Sequence, residues 1–525
     1  MTRRREKICG GVVGAIGLIA LIAGVIILTL LPGLVKRLVD KQVALTNGSF
    51  AEQTWQAPPY KISLQFWIFN VTNANEVLQY GAKPALIQKG PYGFREEQRK
   101  YNIKYSDQNT TVSYMNRKDY FFERNLSCTN CFESDRFTVP NIPYLTVLKM
   151  IREKTPGFSL PSRLVQWILT SIGEGPFAHN IQAKQLIFEG YKDRILDLLN
   201  LFKKGSVPDR MGLFYGKNSS DDGEYEISTG IDDTVSVGRI VDWKNRSDLL
   251  WTGWWRREFP QSSMINGTDG TVYHPFIKRT DSLPIFVSDI CRSVYVTYKS
   301  DIDFQGLLAY RFKVPARVFS ADAVENRGFC WPSQERYYED QPREASGWCL
   351  PSGLLDVAKC QNGAPVVVSS PQFLFCPDEV KDSVSGLKVA TEEEDDTYLD
   401  LEPTTGVVLA GSRKVQLNIA MYTDPGKAAS RAFNRMKSVV VPIVWINESV
   451  EIDASTFKYI YDSVVVAQRT ARIGAYAAII VGSVFVLAIV VFFIYRFIRG
   501  RRSEKSDGQW AILPDPSSAS SVVVS

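Results

Sequence analysis

The chain has 525 residues, 45% hydrophobic and 22% charged, with 61 Lys and Arg against 56 Asp and Glu. That length leaves room for one large domain or two ordinary ones, and the apolar share excludes a chain disordered throughout. The net charge of +5 sits in two short basic tails, and the neutral stretch between them argues against a nucleic-acid binder relying on bulk charge.

From Ile8 to Val35 there is no charge (ICGGVVGAIGLIALIAGVIILTLLPGLV), nor is there from Ile473 to Tyr495 (IGAYAAIIVGSVFVLAIVVFFIY). Each run exceeds the roughly 20 apolar residues that cross a bilayer. The first is too long for the roughly 7–15 apolar residues of a signal-peptide core, so it reads as an uncleaved anchor. Arg3, Arg4, Arg5 and Lys7 precede it, and Arg496, Arg499, Arg501, Arg502 and Lys505 follow the second run. Positive charge stays cytoplasmic. Residues 1–7 and 496–525 are therefore expected in the cytosol, 8–35 and 473–495 in the membrane, and 36–472 outside or in a lumen.

Eight N-x-S/T sites, at Asn47, Asn70, Asn109, Asn125, Asn218, Asn245, Asn266 and Asn447, all fall between the two spans. This fits a glycosylated ectodomain. Seven of the eight cysteines also lie there, in an oxidising place where disulfides are the rule. Cys9, at the cytosolic edge, is a palmitoylation candidate. Only Cys128 and Cys131 have zinc-ligand spacing, and both histidines, His179 and His274, are far away along the chain. No metal site or cofactor is expected.

In chain order, ISLQFWIFNVTN (62–73), TTVSYM (110–115) and DYFFER (119–124) read as strands. Helical spacing follows in IPYLTVLKMIREK (142–154), SRLVQWILTSI (162–172) and GYKDRILDLLNLFKKG (190–205). In the last, Tyr191, Ile195, Leu198, Leu199 and Phe202 share a face, with Gly205 as the cap. Strand texture returns from about Met211 to Thr456, as in RSVYVTY, LLAYRFKV, GAPVVVS and VVVPIVWI.

Catalytic chemistry is thin. There is no G-x-S-x-G elbow and few histidines to serve as a base. EEEDD (392–396) lacks the ligand spacing of a calcium loop and reads as a solvated charged turn. INGTDG (265–270) reads as a glycosylated turn, WTGWWRR (251–257) as packed aromatic core, and His274 as structural.

Several segments together resemble one family, the class B scavenger receptors. They are QFWIFNVTN (65–73), KGPYGFRE (89–96), LFYGKN (213–218), INGTDG, SDICRSVY (288–295), CQNGAPVVVSSPQF (360–373), YLDLEPTTG (398–406) and VPIVWINESVEID (441–453). NESVEID and GAPVVVSSPQF are most similar to its lysosomal integral membrane protein branch. The resemblance implies a membrane-anchored α+β fold. A large antiparallel β-barrel-like ectodomain would carry a helical apex near 142–205 and an internal lipid tunnel, flanked by two transmembrane helices. It implies a non-enzymatic receptor for fatty acids, sterols, phospholipids or lipoproteins that moves lipid through the tunnel to the plasma membrane. The alternative is a lysosomal or endosomal protein that escorts a lumenal protein or exports lipid. It leaves homo-oligomerisation open and gives no reason to expect nucleic acid.

At the apex, Lys149, Arg152, Lys154, Arg163 and Lys184 are the basic ligand candidates and Trp167 and Phe177 the apolar ones, though each alone reads first as an ordinary core or solvated residue. The apex lacks the histidine of the lysosomal branch, and Pro156 and Pro161 break its helix differently. Ile512-Leu513 resembles a lysosomal sorting pair, but Gly508 stands where relatives carry an acidic residue. The resemblance also suggests disulfides Cys291–Cys360 and Cys330–Cys349. It assigns no place to Cys128, Cys131 and Cys376, for which a local Cys128–Cys131 link that leaves Cys376 free is expected. A third bridge of some relatives has Gly328 at one position and no cysteine in FPQSSMING at the other.

Overall fold

Strand alternation builds most of the chain between the two apolar runs. The computed structural model describes residues 2–152, 171, 173–202, 205, 207–249, 259–333, 335–344, 347–422 and 435–507. The chain divides into two units, Met1–Leu38 with Tyr459–Ser525, and Val39–Lys458.

The first unit is a pair of long helices, parts of Thr2–Val43 and Ala467–Asp507. They contain both uncharged runs, and each is apolar and long enough to cross a membrane. They pack through small residues: a Cβ added at Gly24 would lie 2.7 Å from the Ala475 carbonyl, and one at Gly482 would lie 2.6 Å from that of Gly17. Glycine lets the two backbones approach.

Among the described residues the second unit has seventeen strands. The first seven are β1 (Tyr60–Val71), β2 (Leu86–Tyr105), β3 (Thr111–Phe122), β4 (Arg136–Pro140), β5 (Phe177–Gln182), β6 (Tyr225–Ser228) and β7 (Ile240–Trp243). Next come β8 (Ser282–Val287), β9 (Arg292–Phe304), β10 (Leu307–Lys313), β11 (Arg343–Glu344) and β12 (Gly347–Trp348). The last are β13 (Leu355–Asp356), β14 (Val366–Ser369), β15 (Tyr398–Leu401), β16 (Val408–Met421) and β17 (Val439–Ile452). The main sheet runs β7-β6-β3-β2-β1-β17-β16-β15-β10-β9-β8, with β14 paired to β16 and β13. All these pairs are antiparallel.

Strands β1 and β17, the first and last of this unit, lie side by side, Tyr60 opposite Ile452. The Asp453 amide donates to the Pro59 carbonyl at 2.9 Å. The first strand of the unit is thus tied to the last. The sheet's two edge strands both bond to the INGTDG turn. The Ile240 amide at the start of β7 donates to the Gly267 carbonyl, and Thr268 exchanges hydrogen bonds with Pro284 and Phe286 of β8.

Two sequence expectations change here. TTVSYM and DYFFER belong to one strand, because Asn116, Arg117 and Lys118 stay in register with β2. Their polarity does not mark a turn. The helix expected over 190–205 covers only Arg194–Phe202 among the described residues, with the Asp193 carboxylate accepting the Ile195 amide at its start. Tyr191 is bridged instead to Met211.

Three disulfides are present, Cys128–Cys131, Cys291–Cys360 and Cys330–Cys349. Cys376 is a buried free thiol that burial pushes up to about 12.

Candidate functional site: an apolar cavity with a charged belt

Period-two alternation puts Ile62 and Leu64 of β1, Val415 and Leu417 of β16, and Ile446 and Val450 of β17 on one face of the sheet. These line a cavity of about 790 Å³, within the roughly 300–1,000 Å³ of ligand sites. Ile142 and Met150 of the Ile142–Arg152 helix and Leu196 and Leu199 of the Arg194–Phe202 helix also line it, as do Pro58 and Tyr60. The lining therefore includes both the helical insert and residues close in sequence to the membrane helices.

Charge interrupts this apolar wall. Lys118 of β3 lies 3.4 Å from Glu96 of β2 and 3.9 Å from Glu448 of β17. Arg413 of β16 is paired with Glu448 and lies 3.8 Å from Asp289 in the β8–β9 turn. Lys217 donates to Asp289 at 2.7 Å. The six form one continuous alternating belt, and five of them, all but Glu96, line the cavity.

Burial and pairing compete at each member. Burial would lower the Lys118 ammonium, but Glu96 and Glu448 hold it well above its usual value. Burial dominates at Glu96 and raises its carboxyl despite Lys118. At Glu448, Arg413 and Lys118 outweigh burial and hold the carboxyl low. Lys217 and Arg413 do the same for Asp289. Isolated charges would be costly in such a wall; pairing favours the charged form at Lys118, Glu448, Asp289 and Arg413, while burial prevails at Glu96.

A second buried group abuts the cavity. Lys100 of β2 is fully buried between Trp55 and Tyr114, its Nζ 5.4 and 5.5 Å from the two ring centroids. Its Nζ lies 3.8 Å from Asp269 of the INGTDG turn, which accepts from the Tyr114 hydroxyl at 2.7 Å.

The apex candidates separate. Lys149 is half-buried and 3.6 Å from Asp356 rather than displayed to solvent. Phe177 is buried against the core at the start of β5, where the strand pairing with Pro140 turns it inward. Lys184 is half exposed and lies 3.2 Å from Glu189. Lys154, Arg163 and Trp167, the side chains of Arg152 and Cys9, the segment WTGWWRR, and Ile512 and Leu513 lie outside the described residues.

Among the sequons, Asn47, Asn109, Asn125, Asn218 and Asn245 are exposed, while Asn70, Asn266 and Asn447 are half-buried. His274 Nδ1 is 2.9 Å from the Pro275 carbonyl, and its Nε2 is 3.9 Å from Asp281. The charged turn EEEDD is only partly solvated: Asp395 and Asp396 are buried, and Asp396 lies 3.3 Å from Lys313.

Sequence reasoning missed the belt. Yet Glu96, Lys217, Asp289 and Glu448 stand inside KGPYGFRE, LFYGKN, SDICRSVY and VPIVWINESVEID. For Glu96 and Glu448 the available signal was a charge at the inward parity of an alternating strand.

Comparison with known proteins places these segments. Residues 15–493 match the CD36 family. The chain belongs to the CD36 family. Lysosome membrane protein 2 of Rattus norvegicus is 33% identical over 458 residues, spanning 86% of this chain and 88% of that protein. The protein of the same name from Mus musculus is 34% identical over 457 residues, with the same coverage. Scavenger receptor class B member 1 of Sus scrofa is 29% identical over 495 residues, covering 94% and 90%. This CD36-family chain is thus a membrane protein of the class B scavenger-receptor type, with an apolar span near each terminus.

Proposed function

We propose that this protein is a non-enzymatic receptor whose glycosylated ectodomain takes lipid, free or from lipoprotein, into the cavity and delivers it to the membrane in which both terminal helices sit. The observation that carries this reading is the apolar cavity of about 790 Å³, lined by the helical insert and by Pro58, Tyr60 and Val450. An acyl chain moving between those ends stays out of water, and each buried methylene contributes about 0.8 kcal/mol. Both tails are cytosolic in this reading, Cys128–Cys131, Cys291–Cys360 and Cys330–Cys349 staple the lumenal side, and the eight sequons carry its glycans.

The test is the organic extract of the purified full-length protein. Co-purifying lipid at near one molecule or more per chain is expected, and an extract free of lipid overturns the reading.

A second reading is residence in lysosomes or endosomes, as an escort of a lumenal protein or a lipid exporter. The higher identity to lysosome membrane protein 2 than to scavenger receptor class B member 1 favours it. Changing Ile512 and Leu513 to alanine is expected to move the protein to the cell surface, and an unchanged distribution removes the tail from the argument.

A further inference from the structure

The two signs of the belt do not meet the cavity equally. Glu96 and Glu448 are withdrawn into the wall, their side chains 1% and 12% exposed. Lys118, Arg413 and Lys217 are 29%, 42% and 45% exposed. Asp289 alone among the acids shows comparable surface, at 44%. The belt therefore holds its balancing negative charge mostly behind its cations, and the surface that the belt offers to an occupant is rich in N–H donors.

Arg413 sharpens the asymmetry. Its ion pair is with Glu448, and at 3.8 Å its approach to Asp289 is too long for a hydrogen bond. A guanidinium carries five donors in a planar fork that matches the oxygens of a carboxylate or phosphate. Beside the belt the same strands present Leu64, Val415, Leu417 and Ile446 to the cavity. A polar patch set in an apolar wall suits a ligand with one charged end.

We propose that the belt is a headgroup station: an amphiphile with an anionic headgroup, a carboxylate or a phosphate, lies with that group against Lys118, Arg413 and Lys217 and its tail along the apolar wall. This rests on the reading of the cavity as a lipid site and adds the charge and orientation of the occupant. The belt then selects among amphiphiles. A neutral alcohol of the same chain length gains the apolar contacts but leaves the cations with nothing beyond their existing partners, whereas an anion gains charge-assisted hydrogen bonds in a place of low dielectric.

Full-length protein in detergent micelles is titrated with radiolabelled oleate, dioleoyl phosphatidylglycerol and oleyl alcohol. At least one of the two anions is expected to bind about tenfold or more tightly than oleyl alcohol, the ratio that one charge-assisted hydrogen bond supplies. Oleate alone identifies a carboxylate source, and phosphatidylglycerol alone a phosphate source. The paired variant Arg413→Gln with Glu448→Gln, which leaves the net charge of the wall unchanged, is expected to lower anion binding about threefold or more towards that of the alcohol and leave the alcohol unchanged. Lys217→Gln, on a half-exposed loop, is expected to lower anion binding about threefold and serves as the check if the paired variant melts early. Equal binding of all three by the unaltered protein overturns the headgroup station and leaves the lipid cavity standing. Binding of none overturns both. A loss in the variants that is equal for alcohol and anions also overturns the station.

Discussion

Gly328 lies directly against Ser262: a Cβ added at Gly328 would sit 2.8 Å from the Ser262 Cβ and 2.3 Å from its Oγ. Gly328, which stands at one position of the third bridge of some relatives, therefore touches a fully buried serine of FPQSSMING, the segment that holds the other position. A disulfide holds its Cβ atoms about 3.8 Å apart, so the two backbones must part by about 1 Å to accept one. Gly328→Cys with Ser262→Cys is expected to form a disulfide. Non-reducing peptide mapping should find a linked 262–328 peptide, with stability raised by about 2–4 kcal/mol. Gly328→Cys alone is expected to destabilise, because its side chain collides with Ser262 and gains no bond.

Gly267 is required where the INGTDG turn joins the two edge strands. Its φ is +88°, and an added Cβ would lie 1.9 Å from the Pro284 carbonyl oxygen. Gly267→Ala must push the turn off β8 as well as strain its own backbone, at a cost of about 2–4 kcal/mol. Gly270 has the same φ but meets nothing nearer than 3.6 Å. Gly270→Ala is expected to cost about 1 kcal/mol, the strain alone. Thermal melts of the two variants compare these costs directly, and equal shifts would show that the contact with Pro284 carries no weight.

What the sequence made legible was periodic or covalent. The uncharged helices, the strand in ISLQFWIFNVTN and the confinement of sequons and paired cysteines to one segment all follow from local patterns. The long β2 strand did not, because KGPYG carries turn residues although Leu86–Tyr105 pairs along most of its length with β1 and β3. The belt was hidden for a related reason. Glu96, Lys118, Arg413 and Glu448 stand on four strands, and only the register that sets Ile62 beside Glu96 and Leu64 beside Glu448 brings them to one level. Charges in alternating strands read as solvent-facing until the sheet shows that their face is the inner one. The apex fared differently: Lys149 fits an exposed surface by type but is drawn to Asp356, while Phe177 is buried as an aromatic side chain ordinarily is.

Lys100 and Asp269 hold β2 to the same turn. The buried carboxylate is kept below its usual range, burial being outweighed by Lys100 and by hydrogen bonds from Thr271. Removing one partner leaves the other charge uncompensated inside the fold. Lys100→Met is expected to cost about 3–5 kcal/mol. Lys100→Met with Asp269→Asn is expected to cost less than the sum of the single changes, since no unpaired charge remains. A double-mutant cycle on thermal stability measures the coupling, and strict additivity would show that the ion pair contributes nothing.

Asp453 makes the junction after β17 acid-sensitive, and only at the extreme. Its Oδ1 accepts from the Ser455 and Thr456 amides at 2.8 and 3.1 Å, capping the helix Ala454–Tyr461. Burial would raise this carboxyl, but hydrogen bonds from Ser455 and Thr456 hold it down to about 2. A carboxyl depressed in the fold stabilises it fully above its unfolded value of about 4, and that contribution disappears as pH falls through about 2. The cap is therefore intact at pH 5, in an acidic compartment as at the cell surface. Asp453→Ala is expected to weaken the helix start by about 1 kcal/mol, seen as roughly fivefold faster amide exchange at Ser455 and Thr456. Asp453→Asn keeps an acceptor, so it should retain most of the protection while losing the change in protection between pH 4 and 2. If that acid step persists in Asp453→Asn, a different group is responsible for it.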